Sequence, residues 1–144
     1  MAANNDPIFS KSGCTSVDGS TGMGAAILSA ANDYTGAGAN NQLVFSADAT
    51  NGGYIQRLRF KALGTNTASV ARIFINNGAT NTTATNNSFY GEISLPATTL
   101  IATAATIDID YPMNFAIEPG FKVYVGLGTA VAAGWKVTPV AGKY

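Results

Sequence analysis

This sequence predicts an all-β fold: an antiparallel β-sandwich or jelly roll of about eight strands, with an extended N-terminal arm. Three observations carry the prediction. Apolar and polar residues alternate with period two in short stretches from residue 41 onward, turn residues punctuate those stretches, and no segment reads as a long helix. The chain therefore divides into an arm, residues 1–40, and a sandwich domain, residues 41–144.

The arm is built from Ala, Gly, Ser, Asn and Thr, with two glycine-rich runs, 19–24 and 35–40, that cannot pack a core. Between them, 25–31 is short enough to be either one helical turn or a short strand. Its apolar anchors Ile8, Phe9, Ile27, Leu28 and Tyr34 are the candidate contacts of an arm that orders on a partner surface. The competing reading is a plain disordered tail.

The strands follow in order. Residues 42–47 form the first. In 54–62, Leu58, Phe60 and Ala62 share one face and Arg57, Arg59 and Lys61 the other, the signature of a half-buried strand. In 69–76 both faces are apolar apart from Arg72, so this strand is central or its outer face meets a partner. Asn77-Gly78 opens a long polar loop. Further strands are read at 88–95, 98–102, 106–111, 121–126 and 134–140, with Pro96 ending one and Pro119-Gly120 forming a turn.

Composition narrows function. The chain has 144 residues, eight Lys+Arg against eight Asp+Glu, no histidine and a single cysteine. Only 11% of residues are charged, well below the ~25% of soluble proteins, and zero net charge favours association. Without histidine the commonest general acid–base is missing, and Cys14 has neither an activating partner nor a second cysteine to bridge. No enzyme activity and no cofactor are expected. No basic, apolar-cored leader and no run of about 20 apolar residues is visible, so neither secretion nor membrane insertion is expected.

Three constellations stand out. Arg57, Arg59 and Lys61, with Arg72 on the next strand, form a basic stripe. It suits a salt-bridged protein interface or a solvated face better than nucleic acid, which calls for a strongly basic surface. Asp108 and Asp110, about 7 Å apart on one strand face, with Glu118 beyond, are either solvent-facing residues, a cation site or a carboxylate pair. Tyr54, Tyr90, Tyr111, Tyr124, Trp135 and Tyr144 could stack on sugars, fill a protein interface or plug the sandwich rims.

A resemblance adds to this. The stretch Ala71-Arg72-Ile73-Phe74-Ile75-Asn76-Asn77-Gly78 through Glu92-Ile93-Ser94-Leu95-Pro96-Ala97-Thr98-Thr99-Leu100 is similar to small proteins encoded among tailed-bacteriophage head genes. So are Ile107-Asp108-Ile109-Asp110-Tyr111-Pro112-Met113-Asn114-Phe115-Ala116-Ile117-Glu118-Pro119-Gly120 and Val131-Ala132-Ala133-Gly134-Trp135-Lys136-Val137. It spans roughly residues 54–144. The resemblance implies a capsid decoration, or cement, protein of jelly-roll type. Such a protein would be made in the host cytoplasm and sit on the outer capsid surface of the virion as a homotrimer. There it would stabilise contacts between major capsid protein subunits, binding neither nucleic acid nor membrane and carrying no catalytic or metal residues. The rival readings are a carbohydrate- or receptor-binding module of a phage tail or head fibre, and a small hydrolase using Asp108, Asp110 or Glu118.

Overall fold

The computed structural model describes residues 33–144 together with two short backbone segments, Ser12–Cys14 and Ala25–Ile27. These two segments are β1 and β2. They are followed by β3 (Gln42–Ser46), β4 (Gly53–Ala62), β5 (Ser69–Asn76), β6 (Asn87–Leu95), β7 (Asp108–Ile117), β8 (Lys122–Leu127) and β9 (Trp135–Lys143). One sheet runs β1-β9-β4-β7, with β2 also on β9, and the other runs β3-β8-β5-β6. Every pairing is antiparallel.

The pairing follows a simple rule. β2 pairs β9, β3 pairs β8, β4 pairs β7 and β5 pairs β6. A long antiparallel ribbon has thus been rolled so that its successive pairs alternate between two sheets, which is the jelly-roll winding. Among the described residues eight strands make the roll, and seven of them correspond to strands read from the sequence. Residues 98–102 form no strand. Their β-prone side chains cross from one sheet to the other, where no neighbouring strand can pair with them, and only single bridges form at Asn66–Thr98 and Ile101–Ala104. The eighth strand is β2, so the composition boundary at residue 40 falls after the roll has begun. Nor does β7 stop at Tyr111. It runs through Pro112 to Ile117, because an edge strand tolerates a residue without an N–H.

The inward faces form one core in which Phe45, Ile55, Leu58, Phe60, Ile73, Leu95, Leu127 and Trp135 are all essentially inaccessible. The alternation in β4 places Leu58, Phe60 and Ala62 here, as expected. Register slips interrupt it. Ile55 and Leu58 are three residues apart yet both face inward, because the β4 pairings shift between Ile55 and Arg57. Pro139 of β9 lies between the stretches that pair with β1 and β2, where neither strand would need its N–H. No described helix is long and apolar enough to cross a membrane.

The outer face of the second sheet is covered from within the chain. Phe74 points away from the core, yet it is fully buried and packs on Phe89 at 5.6 Å between ring centroids. Residues 33–41 lie over it as a strap. Gly36, with φ of +72°, sits so close that a Cβ there would come within 2.8 Å of the Phe74 ring. Asn41 is buried and its Nδ2 donates to the Gly36 carbonyl at 2.7 Å, closing the strap on itself. The apolar outer face of β5 is thus met by the chain's own strap.

Candidate functional site

The basic stripe is occupied by the chain itself. Register sets Arg59 opposite Asp110 and Lys61 opposite Asp108 across β4 and β7. Arg59 grips Asp110 with two hydrogen bonds, Nε to Oδ1 at 2.9 Å and Nη2 to Oδ2 at 3.1 Å. The Lys61 ammonium donates to Asp108 Oδ1 at 2.8 Å and to the Thr106 carbonyl at 2.7 Å. Arg57 approaches Asp110 at 3.7 Å and donates to Gln56 Oε1. Hydrogen bonds from Lys61 and Arg59 hold the Asp108 and Asp110 carboxyls below the usual carboxylate range, and Asp110 in turn raises Arg59. Two constellations read separately are therefore one cross-strand ladder, and its charges are largely spent on each other. Glu118 does not join it, and no group of three or more His, Cys, Asp or Glu gathers as a metal site among the described residues.

Arg72 stands apart from that stripe, on the outer face of the opposite sheet. Its guanidinium lies 4.1 Å from the Tyr34 ring centroid, and Tyr34 meets Phe89 edge-on at 5.2 Å. Tyr34 and Arg72, two of the candidate contact residues, are thus brought together as the pin of the strap. Ile27 lies in β2, paired with Trp135. Ile8, Phe9 and Leu28 lie outside the described residues. Of the six aromatic rings, Tyr90 packs against Tyr111 and Phe115 at the β6–β7 margin, and Trp135 is core.

One feature of the structure went unrecognised in the sequence. The loops 63–68, 96–107 and 128–134 meet at one end of the roll, and none contains Asp, Glu, Lys or Arg. This end carries Leu63, Leu100, Ile101 and Ile107, each between 47% and 56% exposed. These half-exposed aliphatic side chains stand on a backbone that is well tied by hydrogen bonds.

Asn66 is what ties it. Though polar and in a loop, it is buried. Its Oδ1 accepts from the Ala133 and Gly134 amides at 2.8 and 2.9 Å, and its Nδ2 donates to the Gly134 and Gly64 carbonyls at 3.0 and 3.3 Å. Its backbone exchanges two hydrogen bonds with Thr98, whose hydroxyl donates to the Gly64 carbonyl at 2.8 Å. One side chain and its backbone thereby fasten all three loops. The opposite end is polar. Its Asn/Thr-rich loop is held by its own amides, including Asn76 to Asn87, Asn87 to the Asn81 carbonyl and Asn86 to the Thr80 carbonyl.

Comparison with protein-family models, curated proteins and solved structures returned no match.

Proposed function

We infer that this chain is a structural protein that docks onto a larger assembly through its charge-free end. In the setting of its sequence resemblance, it is a capsid decoration protein. It would form a homotrimer on the outer surface of a virion and stabilise contacts between major capsid protein subunits. The observation that supports docking is the single end where three loops without an ionisable side chain present Leu63, Leu100, Ile101 and Ile107. The cores of protein interfaces are depleted of charge in this way, and apolar protrusions held rigid lose little entropy on binding. The capsid part of the reading rests on the resemblance. A decoration protein needs only a modest interface per copy, because many copies on one shell sum their effects.

The test is binding to undecorated heads assembled from the major capsid protein of the genome that encodes the chain, with the solution mass measured by light scattering. Saturable binding that raises the head's thermal stability supports the reading. Loss of that binding in the folded Leu100→Asp/Ile101→Asp variant assigns it to the charge-free end. No binding by the intact protein, together with saturable binding to a glycan, would replace this reading by the carbohydrate-binding one.

A further inference from the structure

Beside the charge-free end, on the outer face of the second sheet, lies an open groove of about 360 Å3 lined by Ala68, Ser69, Val70, Arg72, Gly128 and Thr129. Arg72 supplies its one charge. Gly126 stands opposite Arg72 in the β5–β8 pairing and presents no side chain to it. The Arg72 side chain is only 13% exposed. Such burial strips water from a guanidinium that has five N–H groups to satisfy.

Those groups are poorly served. Nη1 reaches the Asp33 carbonyl at 3.4 Å, a long hydrogen bond. Nε is buried without a hydrogen-bond partner. Glu92 approaches it at 3.7 Å, close enough for charge attraction but beyond hydrogen-bond reach. Tyr34 offers a ring face, which attracts the charge but accepts no in-plane N–H. Nη2 lies toward Gly128, where a Cβ would be 3.5 Å away, and it has no hydrogen bond among the described residues. The hydroxyls beside it are already engaged: Ser69 Oγ donates to the Thr129 carbonyl at 3.0 Å and accepts from the Thr129 amide and the Thr129 hydroxyl, each at 3.2 Å.

We propose that this groove binds a carboxylate, with Arg72 Nη2 as its donor and Val70 and Ala68 flanking an apolar stem. The occupant is an acidic side chain of the protein on which the charge-free end docks. Three features argue for it. A half-dehydrated guanidinium with an open edge forms charge-assisted hydrogen bonds that a neutral group cannot match. The groove is largely apolar apart from Arg72, which suits a methylene stem rather than a polyhydroxyl ring. And it continues the proposed docking end, since Ser69 begins β5 where it leaves the 63–68 loop and Thr129, hydrogen-bonded to it at 3.2 Å, lies in the 128–134 loop. The identity of the donor protein rests on the docking reading; the carboxylate site does not.

The experiment titrates isotope-labelled full-length protein with N-acetyl-glutamate methylamide, N-acetyl-glutamine methylamide and glucuronate, following the Val70, Gly128 and Thr129 amides by NMR. Saturable shifts with the glutamate compound are expected, about tenfold weaker with the glutamine compound, and weakened as much by Arg72→Met. Because Arg72 also pins the strap, Gly128→Val provides the second variant. Its Cβ would stand 3.5 Å from Nη2 and 3.6 Å from the Val70 Cβ, so the added side chain occupies the groove beside the donor and should abolish the shifts, while hydrogen exchange in residues 33–41 reports whether the Arg72–Tyr34 stack is kept. Equal shifts from the glutamate and glutamine compounds, or none from either, overturn the site. Tighter binding of glucuronate than of the glutamate compound overturns the side-chain donor. Failure to bind heads with the glutamate response intact would overturn the docking reading instead.

Discussion

Replacing Asn66 by alanine tests whether one buried amide holds the charge-free end together. The substitution removes four side-chain hydrogen bonds, but their loss is unequal. The Gly64 carbonyl keeps the Thr98 hydroxyl, and the Gly134 carbonyl keeps the Leu63 amide at 3.0 Å. The amides of Ala133 and Gly134 have no other hydrogen bond among the described residues, and Gly134 is buried while Ala133 is half-buried. An orphaned buried donor costs about 1–3 kcal/mol, and a half-buried one recovers part of that from water, so the expected loss is about 2–3 kcal/mol. For a chain of this size that is roughly 6–12 °C in melting temperature. Urea unfolding at pH 7 should show a lower midpoint with an unchanged m-value. Asn66→Asp keeps the acceptor for both amides but turns an oxygen toward two carbonyls, so it should be at least as damaging at pH 7. Its carboxyl would be raised by that burial. A raised acid contributes most when protonated, so the deficit relative to wild type should shrink as pH falls through that raised value. A loss below about 0.5 kcal/mol for Asn66→Ala would refute the reasoning, because the loops would then be held by their backbone bridges alone.

Three further outcomes follow from the packing. Gly91→Ala would drive a Cβ into the Tyr111 hydroxyl and should cost about 1–3 kcal/mol by overpacking. Adding Tyr111→Phe should recover part of it, and a double-mutant cycle in urea showing no coupling would contradict the contact. The Asp108 and Asp110 carboxyls are depressed by Lys61 and Arg59, so their contribution is complete above the unfolded carboxylate range and lost as pH falls through the depressed values. The ladder is solvent-exposed, so Asp110→Asn should lower the melting temperature by only a few degrees in low salt, and by less in high salt, as calorimetry would show. Tyr34→Ala removes both the stack on Arg72 and the edge contact with Phe89, worth about 1–2 kcal/mol together. Hydrogen exchange should then quicken in residues 33–41 while β5 and β8 stay protected.

Much of the roll was legible because its strands are amphipathic. The alternation of Leu58, Phe60 and Ala62 with Arg57, Arg59 and Lys61 identified β4, and its inward face was placed correctly. What alternation cannot show is who pairs with whom. Residues 98–102 have the side chains of a strand and lack a neighbour, whereas Ala25–Ile27 has almost no pattern and pairs with β9. The C-terminal half of β7 was hidden by Pro112 and by Asn114, whose φ of +54° breaks the regular ladder. The site suffered from the same gap. Arg59 and Asp110 are 51 residues apart, and only the β4–β7 register turns a basic stripe and an acidic pair into one ion-paired ladder. Asn66 gave no signal, since a lone Asn between Thr65 and Thr67 reads as loop chemistry. The charge-free loops were visible as low overall charge, but only the winding of the roll gathers them at one end.

The strand margins explain why that end, rather than a sheet edge, is suited to docking. A long exposed edge invites another chain to add a strand, and three of this sandwich's strands, β3, β6 and β7, lie at such margins. Each is irregular. The β3 pairing slips between Leu43 and Phe45, leaving Val44 unmatched, and the β6 pairing slips between Phe89 and Gly91, leaving Tyr90 unmatched. β7 combines Pro112, the left-handed Asn114 and a register slip against β4. Bulges and an edge proline disrupt the even ladder of donors and acceptors that strand addition requires. Tyr90, freed from the ladder, turns to Tyr111 and Phe115 and closes the gap between the two sheets with aromatic rings. Backbone pairing with a partner is thus discouraged along all three strands. The docking proposed above therefore falls to side chains rather than to these three margins, at the end where Asn66 ties the loop backbones that carry Leu63, Leu100, Ile101 and Ile107.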